Sequence, residues 1–83
     1  MKQFRVSKTT DPKQLAGAIN SYFDKSDKCE LTAIGSNSIA IATKALALLT
    51  CMFKREYASV VNYKHINKGS EDISAILFTV ERK

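Results

Sequence analysis

The alternation of apolar and polar residues predicts a strand followed by a helix in the first part of this chain. Phe4 and Val6 alternate with polar residues over 3–7, as is typical of a strand with one buried face. The apolar residues that then recur at helical spacing are Leu15, Ala18, Ile19, Tyr22 and Phe23. The polar run 24–28 marks the end of this predicted helix.

The residues before this helix carry start signals. Asp11 is a residue type that caps helices, and Pro12 suits the first helical position because it lacks an N–H group. Gln14 completes a capping-box pattern with Asp11. The predicted helix therefore begins at Pro12.

A second strand and a long apolar helix follow. The strand covers 29–34, and the helix runs from about 38 to 55 after a turn at Gly35. Its apolar arc spans roughly 180°, wider than the ~100° stripe of an ordinary surface helix. One flank consists of Ile39, Leu46 and Phe53, and the other of Ile41, Leu48 and Met52. Such a helix packs on its own sheet and also on either the first helix or a second subunit, and the flank of Ile41, Leu48 and Met52 is the predicted homodimer interface.

Two further strands complete the pattern. Residues 57–67 and 73–81 are rich in β-branched and aromatic side chains. Between them, 67–72 is a predicted hairpin loop in which Gly69 supplies a positive φ. The order of elements predicts a single α+β domain over 1–83, a βαβαββ two-layer sandwich with two helices on a mixed sheet.

The charge of the chain leaves two interpretations open. Thirteen basic residues against eight acidic ones give a net charge of +5, which fits a partner such as nucleic acid or another polyanion and equally fits a merely soluble basic domain. Lys44 is the only charged residue between Leu31 and Phe53. The turn 35–37 delivers a strand into a helix whose first residues are small and polar, an arrangement suited to phosphate.

Other classes of function lack a signature. Cys29 and Cys51 have no second Cys or His at ligand spacing, so they are predicted to be two buried thiols, with no metal and no cofactor. His65 is the only histidine, and no carboxylate pair or nucleophile constellation predicts an enzyme or a small-molecule substrate. No run approaches the ~20 apolar residues of a membrane span, and the first ten residues lack the apolar core of a signal peptide. We therefore expect a cytoplasmic protein.

Three segments carry a resemblance to a known family: FRVSKTTDPKQLAGAINSYF, CELTAIGSNSIAIATKALALL and the closing SAILFTVERK. Together they resemble the stage V sporulation protein S family over essentially the whole chain. That family is similar to the Alba superfamily of dimeric, basic nucleic-acid-binding proteins with a β-α-β-α-β-β fold. The resemblance implies the same fold and the same type of ligand, DNA or RNA.

The resemblance also implies where nucleic acid is contacted. The turn after the first strand matches a basic loop that touches phosphate in the superfamily, and Lys68 lies at the predicted hairpin tip. If the first two strands are neighbours, both helix amino ends face one edge of the sheet. The predicted contacts are Lys8, Thr9, Lys13, Gly35, Ser36, Asn37, Lys44 and Lys68.

The chain departs from its relatives in two places. Residues 53–56 stand where the family often has a glycine-containing connection, and the short hairpin loop contrasts with the longer basic arm of Alba proteins, which favours shallow contact with the phosphate backbone. Simpler roles stay open, since the turn 35–37 could only cap the helix and Lys44 could only solvate it. The predicted function is a dimeric nucleic-acid-binding regulator of development or sporulation. The alternative is a protein-interaction module that uses the apolar second helix.

Overall fold

A computed structural model of the chain describes residues 2–83, apart from the side chains of Ile66, Lys68 and Glu71. The elements are β1 (Lys2–Val6), α1 (Pro12–Tyr22), β2 (Lys28–Ile34), α2 (Ser36–Cys51), β3 (Tyr57–Lys68) and β4 (Glu71–Arg82). The strands form one mixed sheet in the order β1-β2-β4-β3, in which β1 runs parallel to β2 and the other pairs are antiparallel. The predicted α+β class and element order are confirmed.

The start of α1 follows the sequence signals. Asp11 precedes the helix, and its carboxylate accepts a hydrogen bond from the Lys13 N–H at 3.0 Å. Pro12 occupies the first helical position. The cap bond thus reaches the second helical residue, whereas a capping box would use the third, Gln14.

The core lies between the helices and one face of the sheet. Its buried residues are Val6, Leu15, Ala16, Ile19, Phe23, Cys29, Leu31, Ala33, Ala42, Ala45, Leu46, Leu49, Phe78 and Val80. Ala18, predicted to belong to this core, is exposed, and Ala16 is fully buried in its place. The reason is that the buried face of α1 is centred between Leu15 and Ala16, which leaves Ala18 roughly 110° away from its centre.

The start of α2 differs from the prediction. The helix begins at Ser36, two residues earlier than expected, because Gly35 adopts φ 89° and turns the chain directly out of β2. No side chain caps this end of α2. Ser36 and Asn37 therefore belong to the first helical turn and do not cap it.

The end of α2 explains why the connection lacks a glycine. The helix stops at Cys51, four residues before the predicted end. Lys54 adopts φ 56°, and the N–H groups of Lys54 and Arg55 donate to the carbonyls of Thr50 and Leu49. The bond from Lys54 to Thr50 spans four residues, as in the αL motif at helix ends, in which glycine usually takes the left-handed position. Here Lys54 takes it.

Arg55 joins the ends of the two helices. Its Nε donates to Asn20 Oδ1 at 2.6 Å, and its Nη2 donates to Asp24 Oδ1 at 2.7 Å. Charge-assisted bonds of this length are stronger than neutral ones. They position the connection to β3 against α1.

The hairpin is tighter and its strands are longer than predicted. Pairing continues to Lys68 and Glu71, so the loop contains only Gly69 and Ser70, and Gly69 has the expected positive φ of 65°. The predicted six-residue loop is wrong because its polar residues continue the ladder. The pairing of β2 with β4 ends at Ile34 and Ala75. Residues 65–74 therefore project beyond β2 as an arm, which corrects the expectation of a short hairpin.

The cysteines differ in environment. Cys29 is fully buried in the core, and burial raises the pKa of its thiol from 9.0 to about 11. Cys51 is exposed at the end of α2, so the prediction of two buried thiols is wrong for it. Its position on the outward arc of the helix is the reason.

Replacing Lys54 by glycine tests the helix end. We expect Lys54→Gly to raise the free energy of unfolding by about 0.5 to 1 kcal/mol. Glycine removes the strain of the left-handed conformation, and this gain outweighs the conformational freedom that glycine adds to the unfolded chain. Urea denaturation measures this change. Lys54→Ala removes the same charge and keeps the strain, so it should leave stability nearly unchanged. Destabilisation by Lys54→Gly would contradict the assignment of this turn.

Thiol titration tests the burial of the cysteines. Cys51 should react with 5,5′-dithiobis(2-nitrobenzoate) in the folded protein, whereas Cys29 should react only after unfolding. The raised pKa of Cys29 also makes the stability of the protein depend on pH, because this thiol loses its proton at a lower pH in the unfolded chain than in the folded protein. The stabilisation from Cys29 should be complete below pH 9.0 and fall between that value and about 11, and Cys29→Ala should lack this part of the decline. Equal reaction rates of both thiols would show that the core is open.

Candidate nucleic-acid interface

The parallel pairing of β1 with β2 brings the two strand-to-helix turns together. Val6 is the last residue of β1 and pairs with Ala33, and β2 ends one residue later at Ile34. The segments 7–11 and 35–37 therefore lie at the same end of neighbouring strands, and we refer to them as the turn end. Both helices begin here, so their amino-terminal N–H groups face the same side of the molecule.

Hydroxyl groups hold the first of these turns. The Ser7 N–H donates to Thr10 Oγ1 at 2.9 Å, and the Thr10 N–H donates to the Ser7 carbonyl at 3.1 Å. The Ser7 hydroxyl also lies 3.0 Å from that of Thr9. Lys8 is exposed on this loop and has no carboxylate partner among the described side chains. The loop thus presents a free cation on an internally bonded backbone.

The amino-terminal ends of the two helices differ in how well they could bind an anion. Asp11 occupies the start of α1 and already binds the N–H of Lys13, so its carboxylate opposes a second negative group there. The start of α2 has no side-chain cap, and Ser36 and Asn37 are exposed. The uncapped N–H groups of α2 are therefore the better anion donors at the turn end.

Two residues beside the turn end were not predicted. Arg5 on β1 and Ser38 in the first turn of α2 line one groove together with Lys8. Ser38 is only 4% exposed, whereas Arg5 is exposed. In the sequence, Arg5 is marked only by its polar position in the alternation of β1. The residues that surround Arg5 depend on the order of the strands, which the alternation does not specify.

The predicted contacts fall into three places. Those in or beside the turn end are Lys8, Thr9, Lys13, Gly35, Ser36 and Asn37. Lys44 is exposed on α2, and a rise of 1.5 Å per residue puts it about 12 Å along the helix from Ser36. Lys68 ends β3 on the arm, and its side chain lies outside the described part of the chain. The fold therefore does not gather Lys44 and Lys68 into the turn end.

An apolar face remains open on the helix side of the sheet. Ile41 and Leu48 are half-buried on α2, and Met52 is 51% exposed. Val61 and Tyr63 of β3 pair with Phe78 and Ile76, so they point to the helix side, yet they are 60% and 63% exposed. We refer to these five residues as the open apolar face. Val61 and Tyr63 are exposed because β3 lies at the edge of the sheet.

Within the described residues, no group of three or more His, Cys, Asp or Glu side chains could hold a metal ion. The Nε2 atom of His65 lies 3.7 Å from Oδ1 of Asp72 across the arm, where both side chains are exposed. None of the helices in the described part of the chain is long and apolar enough to cross a membrane.

Comparison with known proteins supports the resemblance seen in the sequence. The family model for stage V sporulation protein S (SpoVS) matches residues 2–83. Among solved structures, Alba from Thermoplasma volcanium is similar, with a TM-score of 0.70 at 15% sequence identity, covering 98% of this chain and 100% of that one. At this identity the likeness shows a shared fold. No protein in the curated set matches the chain.

Proposed function

This chain belongs to the stage V sporulation protein S family, and we propose that it is a dimeric nucleic-acid-binding protein that contacts the phosphate backbone with its turn end. One observation carries the proposal. The pairing of β1 with β2 puts the free cation of Lys8 at the same end of the sheet as the uncapped start of α2. We further propose that binding serves gene regulation during sporulation.

The groups at the turn end match a phosphate. Lys8 supplies a full positive charge, and the first N–H groups of α2 supply aligned donors with a partial positive charge. Asp11 is the one carboxylate in these two turns, and it is held against α1. Backbone contacts of this kind position a protein on nucleic acid without reading its bases. We therefore expect little sequence preference.

The arm extends the surface that can meet a long ligand. Four residues of each strand project beyond the last β2 pair, which corresponds to about 13 Å of strand. A long ligand bound at the turn end would therefore meet the strands of the arm as well as the loops. Exclusively shallow contact was expected because of a short hairpin, and the projecting arm removes that reason. Phosphate contact at the turn end remains the proposal.

The open apolar face supports a dimer. Ile41 and Leu48 are half-buried and the other three side chains of this face are largely exposed, and we propose that a second copy of the same face covers them in a symmetric contact. Dimerisation would also duplicate the turn end. Two phosphate sites on one duplex would raise affinity without any new type of contact.

A second function remains a candidate because of the same apolar face. If a different protein covers Leu48, Met52 and their neighbours, the chain would be an interaction module and its basic charge would be incidental. Salt separates the two functions, since phosphate contacts weaken steeply with salt whereas an apolar contact hardly changes.

The salt dependence of binding tests the turn end. We expect Lys8→Ala to lower the slope of log K against log salt by ~1 per site, and by up to ~2 if both copies of a dimer contact one duplex. The loss should be similar for unrelated DNA and RNA sequences. Fluorescence anisotropy at several salt concentrations measures the slope.

Two further lysines serve as comparisons for Lys8. Lys83 follows β4 at the opposite end of the sheet, where its N–H donates to the Glu56 carbonyl. Lys83→Ala removes the same charge and should leave the slope unchanged. Lys44→Ala shows whether the ligand extends along α2. Equal losses for all three variants would mean that net charge governs binding, and the turn-end proposal would be wrong.

Light scattering tests the proposed dimer. Leu48→Glu should give a folded monomer, because a charge in a symmetric apolar contact is placed there twice. Ala47→Glu adds the same charge at an exposed position on the outward arc of α2 and should remain dimeric. A monomeric wild-type protein, or a dimeric Leu48→Glu variant, would reject this interface.

A further inference from the structure

The groove that contains Arg5, Lys8 and Ser38 extends from the turn end across the face of the sheet opposite the helices, and the proposed function does not explain its apolar floor. This outer groove has a volume of about 710 Å³, within the range of specific binding pockets. Its floor is apolar and formed by Ile34, Ile73 and Leu77. The basic residues around it are Arg5, Lys8 and Lys64.

The strand register explains how the groove is built. Thr32 pairs with both Arg5 and Leu77, and Ala75 pairs with both Ile34 and Lys64, so these side chains share one face. No helix covers this face, because α1 and α2 both pack on the opposite one. Ile34 is 46% exposed as a result. The floor is apolar surface open to a ligand.

The charges of the groove are arranged in two places. Arg5 lies on β1 and Lys64 on β3, the two outer strands, about 15 Å apart by strand spacing and register. Neither has a carboxylate partner among the described residues. Among the described side chains, the only carboxylate that lines the groove belongs to Glu30, which accepts a hydrogen bond from Gln3 at 3.1 Å. The groove thus complements a ligand with two separated negative groups.

The apolar floor does not suit nucleobases. Proteins that hold single-stranded nucleic acid stack its bases on aromatic side chains, and no aromatic residue lines this groove. The aromatic residues Phe4, Tyr22, Phe23, Phe53, Tyr57 and Phe78 pack in or against the core. Tyr63 points to the helix side. Aliphatic side chains between two cations instead fit a peptide with aliphatic and acidic residues.

An extended peptide has the required spacing. Side chains at i, i+2 and i+4 lie on one face of an extended chain, and i and i+4 are about 14 Å apart. Acidic residues at i and i+4 would therefore reach Arg5 and Lys64, with an aliphatic residue at i+2 on the floor. We propose that the outer groove binds an extended segment of a partner protein with this acidic-x-aliphatic-x-acidic pattern.

Peptide titrations followed by 15N–1H spectra test the proposal. The probe is the synthetic peptide acetyl-Ser-Glu-Ser-Leu-Ser-Glu-Ser-amide. We expect the largest shifts at residues around the groove, notably Ile34, Lys64 and Leu77. The control peptide acetyl-Ser-Ser-Glu-Glu-Leu-Ser-Ser-amide has the same composition and should bind at least about fivefold more weakly, since its acidic groups cannot span both cations.

Variants separate the groove from general charge effects. Lys64→Gln should weaken peptide binding about fivefold, and Ile34→Ser about tenfold by loss of apolar contact. Lys25→Gln removes an exposed charge outside the groove and should change binding less than about twofold. The same spectra report whether each variant is folded.

Three outcomes would overturn the proposal. One is equal weakening by Lys25→Gln, and another is that the two peptides bind equally or that neither binds. The third is that oligodeoxythymidylate, and not the peptide, shifts the groove residues, which would assign this face to nucleic acid. The two proposals can fail separately. Ile34→Ser should retain wild-type affinity for duplex DNA, and failure of the peptide to bind would leave the turn-end proposal intact.

Discussion

The parallel pairing of β1 with β2 is the constraint on which the rest of the structure depends. Parallel neighbours need a crossover, and α1 provides it, so both strands run toward the same edge and both helices begin there. This places Lys8 and the uncapped start of α2 at one end of the sheet. An antiparallel arrangement of these strands would put the two turns at opposite ends, and no shared anion site would exist.

Local chemistry allowed the sequence to predict most of the fold. Alternation identified β1, β-branched and aromatic residues identified β3 and β4, and Asp11 with Pro12 located the start of α1, because these signals act within a few residues. The end of α2 was predicted four residues late, since Lys54 accepts a left-handed conformation usually left to glycine. The hairpin loop was predicted too long because ladder bonds join backbone groups, so polar residues in the exposed arm continue the pairing.

The sequence pointed to the proposed site only where that site depends on residues close together in the chain. The strand-turn-helix pattern pointed to Lys8 and to the turn at Gly35, and both lie at the turn end. Arg5 and the outer groove depend on the order β1-β2-β4-β3, which no local pattern specifies. The two faces of the sheet consequently carry different kinds of exposed surface. The helix side carries the open apolar face, and the other side carries a groove with separated cations.

The most direct measurement of the central claim is a 15N–1H titration of the wild-type protein with a mixed-sequence DNA duplex. Phosphate bound at the turn end should shift the amides of Lys8, Thr9, Ser36 and Asn37 most strongly, because these groups surround the proposed contact. The opposite end of the sheet, including Lys28 and Lys83, should stay unchanged. Largest shifts at that opposite end, or shifts spread evenly over all exposed lysines, would contradict the account.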